Sequence, residues 1–259
     1  MMDPKKEIER RLRAAEAEYD VKVVFAIESG SRAWGFASPD SDYDVRFVYV
    51  RPLHWYASFD VENRPDVIEY PIVDDFDING WDLRKALGLL LKYNPSLIEW
   101  LHSPIVYRDD GHFASACKAL LADSFNTTRA AYHYLSMARN NYREHLQTDE
   151  VRLKKYLYVL RPLLTLRWLA EHRSPAPIVF DELRAAVNIE PVVDLAIDDL
   201  LTRKKASGEK ERVARIEVLN EFIESELKRW EEMPDFDKES IDSEALNKIF
   251  RDYTIAANS

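Results

Sequence analysis

The chain has 259 residues, 46% hydrophobic and 12% aromatic, which is enough to fill one large core or two small ones and excludes a disordered chain. A single cysteine, Cys117, excludes a disulfide framework and a four-cysteine metal site. The N-terminal MMDPKKEIERR lacks the apolar stretch of a signal peptide, and no run approaches a membrane span, so a cytoplasmic protein with no membrane partner is expected. A net charge of −10 argues against a broad phosphate-tracking surface while leaving room for a local basic groove.

Asp3 can cap a first helix with Pro4 at its first position, and Ile8, Leu12, Ala15 and Tyr19 form one apolar stripe. Val21 to Ile27 reads as a buried strand and Tyr43 to Val50 as a second. Residues 51–71 read as loop and short strand, broken by Pro52, Pro65 and Pro71. A third strand is expected over Ile72 to Ile78, a helix from Trp81 to about Tyr93, and a short helix capped by Ser96 and ending at Leu101. Strand signals nearly vanish after Tyr107. Helical patterns cover 126–146, 150–171 and 209–233. The expected division is an α/β domain at 1–122 and a helical domain at 123–259.

Between Glu28 and Asp82 there are twelve acids and four arginines. Such a segment is either a solvated face or a carboxylate cluster built for divalent cations. Within it, GSRAWGFASPDSDYD runs from Gly30 to Asp44. A glycine after a buried strand lets backbone N–H groups approach a phosphate, and the Ser31 hydroxyl can add a donor. Asp42 and Asp44 are two residues apart, and period two in a strand puts both carboxylates on one face, the arrangement a pair of Mg²⁺ ions needs.

The pattern GSxxxGxxxxxSDxD, matched by Gly30, Ser31, Gly35, Ser41, Asp42 and Asp44, resembles the signature of the DNA polymerase β-like nucleotidyltransferase superfamily. VRPLHWY (50–56), DINGWDLRKAL (77–87), NPSLIEWLHSPIVY (94–107) and KKYLYVLRPLL (154–164) narrow the resemblance to the YcgL-type nucleotidyltransferases, the RNA-repair-pathway polymerase-β-like family. The resemblance covers most of residues 21–170. It implies an α+β fold: a polymerase β-like nucleotidyltransferase domain with a small mixed sheet, followed by a C-terminal helical bundle domain, with the active site in the cleft between them. It also implies Mg²⁺-dependent transfer of a nucleoside monophosphate from an NTP to an acceptor hydroxyl with release of pyrophosphate.

The superfamily normally adds a third carboxylate on a later strand. Asp77 is favoured here, Asp75 is the alternative in phase with it, and Asp82 fits the first turn of the next helix, where a carboxylate suits the dipole. Two Mg²⁺ ions are expected on Asp42, Asp44 and Asp77, with Asp77 taking the proton of the attacking hydroxyl. Gly30, Ser31, Arg32 and Ser41 are the nucleotide-contact candidates of the first domain. On the helix over 150–168, Lys154, Tyr158, Arg161 and Thr165 form a stripe beside the core stripe of Leu153, Leu157, Leu160 and Leu164. Lys154 and Arg161 are the candidates for leaving-group charge, and Lys155 lies about a quarter turn away.

A haloacid-type phosphatase places its first aspartate after the apolar strand, whereas here the apolar run follows Asp42. A metal-dependent glycosyltransferase has no need of the upstream Gly-Ser turn. The remaining rival is a catalytically idle nucleotidyltransferase fold acting as an interaction or antitoxin module. The acceptor stays open among an RNA end, a protein hydroxyl and a small molecule.

Overall fold

The structure, a computed structural model, describes residues 3–206, 211–234, 236 and 240–256. It divides into two compact units. One holds the chain up to Gly30, Asp42–Phe125 and the segment from Ser240 on; the other holds Ser31–Ser41 and Asn126–Glu239. This differs from the expected division at 122/123 in two segments. The 31–41 loop belongs to the helical unit, and the last helix belongs to the sheet unit.

Elements are numbered along the chain. The sheet unit contains α1 (Pro4–Tyr19), β1 (Lys22–Glu28), β2 (Tyr43–Val50), α3 (Leu53–Tyr56), β3 (Val67–Glu69), β4 (Phe76–Asp82), α4 (Leu83–Leu91), α5 (Pro95–Leu101), β5 (Val106–Asp109), α6 (Phe113–Asp123) and α12 (Ser243–Ala256); the short α2 (Gly30–Ala33) follows β1. The strands form one mixed sheet in the order β3-β4-β2-β1-β5, with β2 and β4 parallel and the other pairs antiparallel. The fold is α+β.

Both faces of the sheet are covered. Asp3 caps α1 through the Lys5 amide at 3.0 Å, and Ile8, Leu12 and Ala15 pack on Ala26, Val45, Phe47, Tyr49 and Ile78. Phe25, Ile27, Val48 and Val50 face α4, α5, α6 and α12. Period two therefore places Asp44 and Arg46 on the same face as Val48 and Val50, at the entry of β2. Trp81 of β4 stacks on Trp100 of α5 with centroids 3.8 Å apart, so both pack as core.

Several boundaries shift from those expected. The third strand begins at Phe76, because Asp74 and Asp75 both adopt positive φ (54° and 65°) and make a tight turn after Val73. The next helix begins at Leu83, and Asp82 is its N-cap, accepting from the Arg84 amide at 2.8 Å. Asn94 rather than Ser96 caps α5, with Pro95 at the first helical position.

The helical unit contains α7 (Thr127–His145), β6 (Glu150–Arg152), α8 (Leu153–His172), α9 (Phe180–Ala185), α10 (Pro191–Ala206), β7 (Arg212–Ala214) and α11 (Glu217–Arg229). The pair β6–β7 is an antiparallel ladder of its own, strand structure absent from the helical expectation there. The expected helix over 209–233 contracts to Glu217–Arg229, and 207–210 lie outside the described residues. Pro162 sits inside α8 without ending it. Buried apolar positions on both sides of that proline hold the helix continuous, offsetting the lost backbone bond. Arg167 of α8 pairs with the buried Glu226 of α11 through two hydrogen bonds of 3.0 and 2.9 Å.

Candidate active site

The entry of β2 is fixed from both neighbours. The Ser29 amide donates to the Asp44 carbonyl at 2.8 Å, and the Asp44 amide donates to the Glu28 carboxylate at 2.9 Å. Glu28 is fully buried and also accepts from the Tyr107 hydroxyl. On the other side the Tyr43 amide donates to the Asp75 carbonyl at 2.7 Å, leading into the parallel ladder. In that ladder Asp44 is the register partner of Asp77. Asp75 lies in the positive-φ turn just before β4, so strand alternation does not relate it to Asp77. Asp82 is taken by its cap role and by the Tyr56 hydroxyl at 2.9 Å.

The Asp44 and Asp77 carboxyls are close enough to share a hydrogen bond, and Asp42 lies within electrostatic reach. Burial raises the Asp44 carboxyl above the ordinary aspartate range. The Arg46 guanidinium opposes that shift, while the charges of Asp77 and Asp42 add to it. Arg46 donates to Asp77 Oδ2 at 2.7 Å and to Asp44 Oδ1 at 3.3 Å. Asn79 donates to Asp77 Oδ1 at 2.6 Å. Arg46, Asn79 and Glu28 are site residues that sequence reading passed over. Arg46 had a signal, since it continues the period-two face of Asp44 along β2.

Gly30 closes the site from the end of β1. Its φ is +61°, and a Cβ there would stand 2.0 Å from Asp44 Oδ2 and 2.9 Å from its carboxyl carbon. Only glycine permits both that backbone and that approach.

The other candidates fall in the helical unit. Ser31 is buried in α2. Arg32 donates to the Ser41 carbonyl at 2.6 Å, and Ser41 Oγ, also buried, lies 3.0 Å from both the amide and the hydroxyl of Ser38. Lys204 of α10 is 2% exposed and donates to Ser38 Oγ at 2.6 Å. These contacts shape the 31–41 loop, so the Arg32 and Ser41 side chains are engaged in holding it. Trp34 lies edge-on to Tyr158 with centroids 5.7 Å apart, and the Arg161 guanidinium stacks over Trp34 at 4.5 Å. Arg161 and Thr165 are buried, so that part of the α8 stripe is packed, whereas Lys154 is half-buried.

The carboxylates of Asp44 and Asp77 are 29% and 20% exposed and are hard oxygen donors, and their chemistry fits Mg²⁺. Among the described residues no group of three or more His, Cys, Asp or Glu side chains is gathered as a metal cluster. Arg46 supplies the counter-charge that an ion would supply. No described helix is long and apolar enough to cross a membrane.

A protein of Bacillus subtilis (strain 168) named uncharacterized protein YcgL is 46% identical over 225 residues, covering 87% of this chain and 86% of its own. A crystal structure of a nucleotidyltransferase-like protein from Exiguobacterium sibiricum 255-15 aligns over 97% of this chain and 92% of that one, at 13% identity and a TM-score of 0.28. Residues 5–252 match the family described as RNA repair pathway DNA polymerase beta family, and the chain belongs to that family.

Proposed function

We propose that this protein transfers a nucleoside monophosphate from an NTP to an acceptor hydroxyl and releases pyrophosphate, in the repair of RNA ends. The observation that carries the reading is the register pairing of Asp44 with Asp77, with Gly30 held against Asp44 by a contact no other residue could make.

Asp42, Asp44 and Asp77 would hold Mg²⁺. Two bound ions would polarise the α-phosphate and neutralise charge on the triphosphate. The chain's own residues do the rest. The acceptor oxygen forms a bond to the α-phosphorus, the bond to the β-phosphate oxygen breaks, and pyrophosphate departs. Asp77, oriented by Arg46 and Asn79, takes the acceptor's proton. The amides of Gly30 and Ser31, at the start of α2, provide donors for phosphate oxygens. Arg161 acts through Trp34, and Arg32 and Ser41 act through the loop they hold.

Arg46 also favours a second reading, an idle fold whose carboxylates are satisfied by an internal guanidinium. Each NTP labelled at the α-phosphate, incubated with Mg²⁺ and RNA, protein or small-molecule acceptor fractions, separates the two. Label transferred to an acceptor supports transfer. No label transferred, and no Mg²⁺-dependent rise in melting temperature, supports the idle fold.

A further inference from the structure

The charge of this acidic chain is unevenly neutralised. In the sheet unit the exposed Arg10, Arg13, Arg84 and Arg251 all sit in ion pairs. In the helical unit five exposed arginines have no ion pair among the described residues: Arg129, Arg139 and Arg143 on α7, and Arg152 and Arg212 on the β6–β7 ladder. From Phe125 to Arg143 the sequence contains no acid. The buried face of α7 is Ala130, Ala131, Tyr134, Leu135 and Ala138, which leaves Arg129, Tyr132, Ser136, Arg139 and Arg143 on its exposed face at spacings of three and four. Arg139 and Arg143 are one helical turn apart, about 6 Å along the axis, and line a groove of about 410 Å³ with Tyr132, which is 58% exposed.

Arg152 and Arg212 are direct register partners. Like charges opposite each other in a ladder are destabilising, so this pairing costs the fold something and has no counter-ion within it. With Lys155 and His145 they line a cavity of about 470 Å³ that also takes in Glu144 and Glu150. The Lys155 amine lies 2.9 Å from His145 Nε2, and the Glu144 carboxylate stands 3.6 Å from the same nitrogen. Asn140 and Glu144, one turn apart on α7, line the groove and the cavity respectively, so the two are neighbours along the helix.

We propose that this arginine face of α7, β6 and β7 is the docking surface for a single-stranded RNA, the acceptor strand of the reaction proposed above, on which this inference rests. Guanidinium groups that no described carboxylate neutralises take the phosphodiesters, Arg143 donating internally only to the neutral Asn140 Oδ1 at 3.2 Å. The Tyr132 ring offers a flat stacking surface of the kind single strands use. A membrane surface would need a row of exposed apolar side chains beside the cations, and the exposed face of α7 has only Tyr132.

The test is fluorescence anisotropy of a labelled single-stranded RNA against the full chain, without NTP, over a range of salt. The pairs Arg139→Gln/Arg143→Gln and Arg152→Gln/Arg212→Gln should each weaken binding about tenfold and reduce the slope of log affinity on log salt by about 1.4, two phosphate contacts' worth. The second pair should melt no lower than the parent, because it removes a like-charge contact. Unchanged affinity and slope in both variants would overturn the proposal, as would tighter binding to phosphatidylserine vesicles than to RNA. Transfer of labelled nucleotide is assayed in parallel. Transfer to another acceptor with no RNA affinity removes the docking surface and leaves the enzymatic reading standing. RNA affinity that depends on these arginines supports the surface whether or not transfer is seen.

Discussion

Asp44 and Asp77 stand opposite each other in the parallel ladder of β2 and β4, and a single guanidinium, that of Arg46, reaches both. Arg46 lowers the Asp44 carboxyl while burial and the neighbouring acids raise it, and the net shift is upward. Its replacement by Gln should raise the Asp44 carboxyl further. Activity needs the carboxylate, so the acid limb of the pH–rate profile should move to higher pH. An unmoved or lowered limb would show that Arg46 does not tune this site.

The same shift sets a stability prediction. A carboxyl raised in the folded state binds its proton more tightly there than in the unfolded chain. Its contribution to stability therefore falls as pH rises from the ordinary aspartate value through the raised one. At neutral pH the ionised Asp44 costs stability, and Asp44→Asn should melt higher than the parent. The difference should shrink in acid, where Asp44 is protonated in both states. Melting curves at neutral and acidic pH check both the sign and the trend.

Gly30→Ala combines backbone strain of about 1–2 kcal/mol for a left-handed non-glycine residue with a Cβ placed against the Asp44 carboxylate. The carboxylate must swing away. Loss of transfer should reach about a hundredfold, since displacements of about 1 Å at a reacting centre have that effect, while the protein stays folded. Near-normal turnover in a folded Gly30→Ala protein would remove Gly30 from the account.

Much of the sheet unit was legible in the sequence because its signals are local. The Asp3 cap, the stripe of Ile8, Leu12 and Ala15, and the β-branched runs of β1 and β2 each depend on a few adjacent residues. The start of β4 was not legible, because positive φ at two consecutive aspartates is set by the turn before the strand. The short β6–β7 ladder joins residues some sixty positions apart, and neither three-residue strand has a periodic signal. At the site, the two-residue spacing of Asp42 and Asp44 could be read locally, although Asp42 precedes β2, whereas the Arg46 bridge needed the register of β2 on β4. The contacts of Arg32 and Ser41 stay within the 31–41 loop, but the Lys204 ammonium that meets Ser38 comes from far along the chain and could not be read locally.

Lys204 gives a prediction for the loop itself. Its ammonium is buried against Ser38, whose hydroxyl also meets Ser41. Removing one partner of a buried charge-assisted hydrogen bond costs about 1.5–3 kcal/mol. Lys204→Met should lower stability to urea by about that amount, while the exposed neighbour Lys205→Met should change it little. Equal effects of the two would contradict the assigned role.

Cys117 is fully buried, and burial pushes its thiol up to about 12. It should resist iodoacetamide in the native protein at neutral pH and react once the chain is denatured. Rapid native labelling would contradict the packing described for α6.

The most direct test of the central claim is transfer of α-labelled nucleotide from NTP in the presence of Mg²⁺, comparing the parent with Asp42→Asn, Asp44→Asn and Asp77→Asn. The account predicts labelled acceptor and released pyrophosphate with the parent, and loss of nearly all of both in each variant that keeps its fold, because a neutral amide binds Mg²⁺ far more weakly than a carboxylate. A folded Asp44→Asn protein that labels its acceptor as fast as the parent would place the chemistry elsewhere.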